Sequence, residues 1–281
     1  MIGFDHLGNL GRLGNQMFEF AALRGIAAHH GYNVCIPPTE HEGIENYSLH
    51  DCFKLDHIPT HFIATERYVQ EPHFHFSKEL FDGCPDNVSL YGFFQTEKYF
   101  VNAADIVRKD FTFHDSILQP CADFMSQYVD QEPIMLHVRR GDPNLTDPRG
   151  FKWSYTQCSH QHPPQTLEYY EEALSHFDKD QPVIVFSDSP DWVQEQEFFE
   201  GDRFVISVPE DKYSDGSYEP YIDLCLMSLC SHAIIANSSL SWWGAWLQNS
   251  KGKVVAPKKW YGPAYADKDL SDLYCKDWIV V

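Results

Sequence analysis

Two adjacent arginines, Arg139 and Arg140, follow a mainly apolar run over residues 134–138 that predicts a buried strand. In open α/β sheets, ligands bind beyond the carboxyl ends of the strands. A guanidinium can clamp two phosphate oxygens at once. The pair therefore indicates a site for a diphosphate and, through it, for a nucleotide-activated substrate. Solvated arginines with carboxylate partners are the alternative interpretation of this stretch taken alone.

Polar residues occur at matching places elsewhere in the second half of the chain. Asp188 follows a predicted strand, Asp223 lies on the helix that leads to another strand, and Ser238 and Ser239 follow that strand. Serine hydroxyls and backbone N–H groups at a helix N-terminus form an anion site. An ordinary N-cap or an Asx turn would explain each residue separately. Together they suit a pyrophosphate, and a carboxylate suits the N1–H and N2–H₂ edge of guanine.

The elements that would position these residues alternate between strands and helices. Such alternation is typical of a parallel sheet with helices on both faces. The apolar patterns predict strands over 134–138, 183–187, 204–208, 233–236 and 254–256, and helices over 166–177, 220–230 and 241–248.

The first half begins in a similar way. A glycine-punctuated turn over 10–16 leads into a predicted helix over 17–28, which ends at Gly31 before a strand over 33–36. A second strand and helix are predicted over 88–94 and 96–108, whereas residues 37–85 show no periodicity and are expected to be irregular. We therefore expect an α/β protein of two Rossmann-like domains, residues 1–132 and 133–281, that face one another across a ligand-binding cleft.

Composition excludes several classes of protein. The net charge of −20 argues against nucleic acid as a partner, because phosphate backbones attract basic surfaces. No signal peptide and no apolar stretch of about 18 residues is present, so a soluble cytoplasmic protein is expected. The eight cysteines never form Cys-x-x-Cys, which favours reduced thiols over a zinc site or a disulfide framework.

Four segments of the chain resemble, in order, the motifs of α-1,2-fucosyltransferases. The Trp-Trp-Gly-Ala-Trp block is the most specific of these motifs, and the segments together extend from Gly11 to Leu247. They are residues 11–18 (Gly-Arg-Leu-Gly-Asn-Gln-Met-Phe), 137–142 (His-Val-Arg-Arg-Gly-Asp), 186–188 (Phe-Ser-Asp) and 237–247 (Asn-Ser-Ser-Leu-Ser-Trp-Trp-Gly-Ala-Trp-Leu).

This resemblance implies a GT-B-like fold that transfers L-fucose from GDP-fucose to a glycan hydroxyl with inversion and without a required metal. The donor would bind the C-terminal domain and the acceptor the N-terminal domain. Another GDP-deoxyhexose, such as GDP-rhamnose, and an inactive glycan-binding module on the same scaffold are the alternatives. In the wider superfamily the first arginine of the His-x-Arg motif binds the donor phosphates, which implies that role for Arg139. The same comparison implies that His137 and Asp223 contact guanine.

The remaining site residues follow from these two lines of argument. Negative charge builds on the departing diphosphate, and fixed cations and N–H dipoles would have to neutralise it. We expect Arg140 to brace the loop through Asp142, and either Asp142 or Asp147 to act as a general base if one is needed. Asn15 would orient the acceptor from the opposite domain. The expected donor-binding residues are Arg12, Gly14, His137, Asp188, Asp223, Ser238 and Ser239.

Two Asp-x-Asp sequences imitate the metal motif of other glycosyltransferases. Asp178 and Asp180 follow a predicted helix, and Asp267 and Asp269 lie in a charged C-terminal segment. Both pairs are expected to be solvated charges, and no metal ligand is predicted. The acceptor, the linkage and the oligomeric state are left open by the sequence.

Overall fold

The computed structural model describes residues 1–39, 47–63, 65–141, 155–207, 220–249 and 252–281. The chain divides into two compact units. Unit 1 comprises Met1–Asp115 and Lys268–Lys276, and unit 2 comprises Ser116–Asp267 and Asp277–Val281.

Unit 1 is built on a four-stranded parallel sheet in the order β2-β1-β4-β3. Its longest helix, α1, is buried along most of its length and ends at Gly31, whose φ of 73° is a left-handed conformation that glycine adopts without strain. The strands are β1 (Ile2–Gly3), β2 (Val34–Cys35), β3 (Tyr68–Gln70) and β4 (Val88–Tyr91), and the α-helices are α1 (Leu13–His30), α2 (Leu49–Cys52), α3 (Lys78–Gly83) and α4 (Ala104–Asp110).

Unit 2 is built on a larger parallel sheet whose apolar strands are sandwiched between helices. Both central strands are buried at every residue, because each face of a doubly covered sheet contacts a helix layer. The strands are β5 (Ile134–Val138), β6 (Val183–Ser187), β7 (Phe204–Ile206), β8 (His232–Ile234), β9 (Val254–Ala256) and β10 (Ile279–Val280), and the α-helices are α5 (Asp115–Met125), α6 (Leu167–Leu174), α7 (Pro190–Gln194), α8 (Pro220–Leu229) and α9 (Ser239–Leu247).

The strand order of unit 2 is the Rossmann order. The six strands run β7-β6-β5-β8-β9-β10 across the sheet, so the chain moves from β5 to one edge and then returns to build the other side. This reversal creates a topological switch point between β5 and β8. Ligands of such sheets bind in the crevice beyond the carboxyl ends of the strands at that point.

The boundary between the units differs from the predicted division after residue 132. It lies at Asp115–Ser116, because α5 belongs to unit 2, where Cys121 contacts the Ile222 carbonyl oxygen at 3.9 Å. The C-terminal segment from Lys268 to Lys276 belongs to unit 1, where Asp272 accepts a hydrogen bond from the Phe76 N–H at 3.1 Å.

Candidate functional site

The site begins at the carboxyl ends of β5 and β6, which are paired in register up to Val138 and Ser187. Arg139 and Asp188 follow these two strands directly and form an ion pair. Both side chains are about one-fifth exposed, 21% in each case, so the pair lies at the surface of the crevice rather than in the core. The strand ends thus place a guanidinium where the sequence predicts a diphosphate clamp.

Asp188 holds the three residues that directly follow β5, Arg139 to Gly141. One carboxylate oxygen pairs with Arg139 and accepts the Gly141 N–H at 2.7 Å, and the other accepts the Arg140 N–H at 2.9 Å. These bonds fix the turn and the arginine together. Asp188 therefore positions the loop residues and the arginine, a role that the sequence did not indicate, and its role in donor binding stays a prediction.

The second arginine points to a different neighbour. The Arg140 guanidinium lies over the ring of Trp192 on α7, with its carbon 3.8 Å from the ring centroid, which is the geometry of a cation–π contact. Asp142 is the predicted partner of Arg140, and either Asp142 or Asp147 is the predicted base. Both residues lie outside the described residues. The catalytic roles of all three remain predictions.

The loop after β8 forms the other side of the switch point. The Asn237 side chain is almost completely buried and ties together three backbone segments: its amide nitrogen donates to the Pro163 and Trp260 carbonyls, both at 2.9 Å. Its amide oxygen accepts from Gln165 at 3.0 Å. These bonds commit the Asn237 amide to structure and fix the start of α9.

Ser238 is the N-cap residue of α9 in an extended conformation, and its side chain makes no capping hydrogen bond to the helix. Ser239 occupies the first turn. The N-terminus of this nine-residue helix carries backbone N–H dipoles that favour an anion. A helix N-terminus thus lies at a second strand end of the same sheet, where the sequence predicts an anion site.

Two buried side chains that interact electrostatically with Asp188 carry polar atoms that have no partner among the described residues. These atoms are Nδ1 of His137, which is 4% exposed, and Oδ1 of Asp223, which is 9% exposed. Unpaired buried polar atoms are costly and call for an explanation. A ligand that supplies hydrogen bonds to both residues would provide one.

The same burial changes the protonation of both groups. Burial lowers the pKa of His137 to about 4. The positive charge of Arg139 lowers it as well, and the negative charge of Asp188 opposes the shift. Burial raises the pKa of Asp223 to about 7, with Asp188 adding to the rise and a hydrogen bond from Ser207 opposing it. At neutral pH, His137 is therefore uncharged, and Asp223 is poised between its two forms.

The other predicted residues belong to unit 1. Arg12 is the exposed N-cap residue of α1, and Gly14 is buried in the first turn of that helix. The Asn15 amide oxygen accepts a hydrogen bond of 2.7 Å from Gln95, which follows β4. Gly11 has a φ of 70° and leaves no room for a Cβ, which would lie 2.1 Å from the Asn15 amide nitrogen.

Sequence reasoning missed the residues that support the clamp from outside the strands. Tyr155 lies beside Arg139, whose guanidinium carbon is 5.2 Å from the tyrosine ring centroid. Trp192 and Gln165 reach Arg140 and Asn237 from helix α7 and from the loop before α6. Aromatic type alone signals little, since most aromatic residues pack in cores.

Two features are absent from the residues that the structure describes. No group of three or more His, Cys, Asp or Glu side chains that could hold a metal ion is found there, and Asp178 and Asp180 are exposed. No helix in the same part of the chain is long and apolar enough to cross a membrane.

Comparison with known families places this geometry in context. The model of glycosyl transferase family 11 matches residues 5–281. The chain belongs to glycosyl transferase family 11. It is therefore a glycosyltransferase, as the motifs predict.

Several curated relatives resemble the chain over most of its length. The O-antigen biosynthesis glycosyltransferase WbnK of Escherichia coli is 30% identical over 77% of this chain and 68% of its own. An alpha-1,2-colitosyltransferase of E. coli is 27% identical, over 89% of this chain and 90% of its own. The galactoside alpha-(1,2)-fucosyltransferase 2 of Sus scrofa is 24% identical, over 88% and 70%.

Solved structures share the fold at low sequence identity. The fucosyltransferase NodZ from Bradyrhizobium has a TM-score of 0.51 and 12% identity, over 86% of this chain and 91% of its own. POFUT1, solved in complex with GDP-fucose, has a TM-score of 0.52 and 12% identity, over 90% and 96%. Together with the two parallel sheets, these likenesses confirm the predicted GT-B-like α/β class.

Proposed function

We propose that this protein transfers L-fucose from GDP-fucose to a hydroxyl of a glycan acceptor, forming an α-1,2 linkage with inversion. The observation that carries the proposal is the Arg139 clamp at the switch point of unit 2, with the N-terminus of α9 following the adjacent strand of the same sheet. Both features favour a diphosphate. The curated galactoside fucosyltransferase and the fold shared with POFUT1 support the nucleotide and the sugar.

The chemistry follows from where charge develops. The acceptor hydroxyl oxygen forms a bond to the anomeric carbon of fucose while the bond from that carbon to the diphosphate breaks, and the electron pair of the broken bond leaves with GDP. The hydroxyl proton passes to a general base, for which Asp142 and Asp147 are the candidates, or to water. Arg139 and the N–H groups of α9 would stabilise the charge that accumulates on the leaving phosphate. Because these donors are fixed before the reaction, they need no divalent metal to act.

His137 and Asp223, whose buried polar atoms have no partner among the described residues, would recognise the nucleobase. The Asp223 carboxylate can accept hydrogen bonds from N1–H and N2–H₂ of guanine, and neutral His137 can donate or accept one more. Adenine offers one donor and an acceptor at that edge, and uracil offers an N–H between two carbonyls. Asp223 therefore favours a guanine nucleotide.

A second donor is supported by a specific comparison. The colitosyltransferase relative covers nearly the full length of both chains, and colitose is a fucose that lacks the 3-hydroxyl. GDP-colitose would present the same guanine and diphosphate to unit 2. A different GDP-deoxyhexose is therefore the alternative donor, and an inactive glycan-binding module is the remaining alternative.

One experiment separates these functions. Transfer to a β-galactoside and hydrolysis of the donor are measured with GDP-fucose, GDP-colitose, GDP-rhamnose and GDP-mannose at equal concentrations. We expect GDP-fucose to give the highest kcat/KM and an α-1,2 product identifiable by NMR. A higher value with GDP-colitose would replace the donor. If the protein binds the galactoside but turns over none of the four GDP-sugars, it is a binding module.

A further inference from the structure

Tyr155 joins the two loops that meet at the switch point of unit 2. Its backbone N–H donates to the Arg140 carbonyl at 2.7 Å, and its hydroxyl donates to the Asn237 carbonyl at 3.2 Å. The first of these loops follows β5 and the second follows β8, the two adjacent strands between which the strand order reverses. Tyr155 thus connects the side that carries the arginine to the side that begins α9.

The ring of Tyr155 contacts the arginine itself. The Arg139 guanidinium lies 5.2 Å from the ring centroid, and the ring in turn stacks on His162 with centroids 5.3 Å apart and an interplanar angle of 27°. Burial disfavours the charge of Arg139, but Asp188 and Tyr155 outweigh it and keep the pKa of Arg139 above its ordinary value. The ring and Asp188 together restrict the positions that the guanidinium can adopt.

The far end of this connection is rigid. The Asn237 carbonyl that accepts the Tyr155 hydroxyl belongs to a residue whose side chain makes three hydrogen bonds of 2.9–3.0 Å to Pro163, Gln165 and Trp260. Because Asn237 is held on several sides, its hydrogen bond to the Tyr155 hydroxyl restricts the position of the tyrosine. Asn237 therefore holds Tyr155 in place, and Tyr155 in turn holds the backbone at Arg140 through its N–H.

We propose that Tyr155 is a positioning residue of the donor site, which holds the Arg139 guanidinium in the orientation that binds the departing diphosphate. The inference rests on the proposed function, since it requires that Arg139 act on a diphosphate. Tyr155 acts through Arg139 and the loop. Its contribution should therefore disappear when the bidentate guanidinium is absent.

A double-mutant cycle tests this dependence. Transfer from GDP-fucose is measured for the wild type, Tyr155→Phe, Arg139→Lys and the double variant. Losing one hydrogen bond at the site should lower the kcat of Tyr155→Phe by about tenfold. In the Arg139→Lys background the same change should lower kcat by less than about threefold, because the guanidinium that Tyr155 positions is already gone. KM for the acceptor should stay within about twofold of the wild type.

Two further variants separate positioning from stability. Tyr169→Phe is the matched control, because the buried Tyr169 hydroxyl also donates to a backbone carbonyl of unit 2, that of Ile235 at 2.6 Å. This control should lower the melting temperature and leave kcat unchanged in both backgrounds. Tyr155→Leu, which removes the ring as well, should reduce kcat further than Tyr155→Phe while the protein stays folded by circular dichroism.

The outcomes are distinct. Equal effects of Tyr155→Phe in the two backgrounds would overturn the inference, as would a kcat that equals that of the wild type or falls only with the folded fraction. In each of those cases wild-type transfer from GDP-fucose continues, so the proposed function stands. A wild type that uses no GDP-sugar contradicts the proposed function itself.

Discussion

Arg139 and Asp188 form an ion pair across the neighbouring ends of two central, buried strands of unit 2. The same carboxylate accepts the backbone N–H groups of Arg140 and Gly141. One side chain therefore fixes both the backbone at Arg140 and Gly141 and the direction of the guanidinium. Replacing Asp188 by Asn keeps the shape but removes the charge, and the amide nitrogen that takes the place of one carboxylate oxygen cannot accept a backbone N–H.

We expect Asp188→Asn to lower kcat/KM for GDP-fucose by at least about tenfold, since charge-assisted and backbone hydrogen bonds are lost together. Steady-state kinetics with a galactoside acceptor provide the measurement. Asp191→Asn is the matched control, because Asp191 is exposed on the adjacent helix α7. Equal activity of the two variants would mean that Asp188 does not position the clamp.

Arg139→Lys keeps the positive charge but loses the bidentate fork. The expected fall in kcat is at least about a hundredfold, the scale of one lost transition-state donor. Arg203→Lys is the control: Arg203 lies before β7, at the amino end of the sheet, and donates to the Gln181 and Asp178 carbonyls. A folded Arg139→Lys enzyme that retains more than about a tenth of wild-type kcat would exclude Arg139 as the main stabiliser of the leaving group.

Guanine recognition should depend on pH through Asp223. In the protein without nucleotide, Asp223 has a pKa of about 7, raised above its ordinary value of 3.8. Only the ionised carboxylate accepts both guanine hydrogen bonds. GDP affinity should therefore fall as pH drops below 7, by roughly tenfold per pH unit, and level off above it. Because the pKa is raised in the folded protein, the free energy of unfolding without nucleotide should fall as pH rises from about 4 through 7. Bound GDP should offset that loss.

Calorimetric titrations of GDP, ADP and UDP between pH 6 and 8 measure this effect. Asp223→Asn should weaken GDP binding by at least about tenfold and abolish most of the preference over ADP and UDP. The variant also corrects for protonation of the nucleotide phosphate, which it shares with the wild type. Equal affinity for all three nucleotides in the wild type would refute guanine recognition.

Transfer is predicted to proceed without a divalent metal. Activity should survive excess EDTA, because the arginine and the α9 N-terminus supply the positive charge at the diphosphate. The double variant Asp178→Asn/Asp180→Asn should behave like the wild type. Loss of activity in EDTA that Mn²⁺ or Mg²⁺ restores would contradict the prediction and direct attention to those two carboxylates.

The sequence predicted the parts of the fold that are determined by long apolar runs. Residues 134–138 and 183–187 form β5 and β6 as expected, because strands buried on both faces have a continuous apolar pattern. The edge strands β3 and β10 were missed. Tyr68 and Gln70 of β3 are exposed, and β10 has only two residues, so neither carries a strong pattern. Pro120 obscured α5 in the same way.

The site divides along the same physical line. Arg139, Asp188 and Ser238 lie at strand ends, which the apolar pattern locates, so the crevice could be predicted. Tyr155 and Trp192 reach it from a loop and a short helix whose positions depend on tertiary contacts. No local pattern distinguishes them from core aromatics. The positive φ of Gly11 was predictable in kind from a glycine turn, but its close approach to Asn15 was not.

The last residues of the chain impose a constraint on engineering. Residues Lys268–Lys276 belong to unit 1, and the final strand β10 then pairs with β9 in unit 2. A chimera that exchanges the first 115 residues with those of a relative would therefore leave a foreign tail against its new core. Exchanging unit 1 between family members requires two grafts, the N-terminal segment and this short C-terminal one, exchanged as a set.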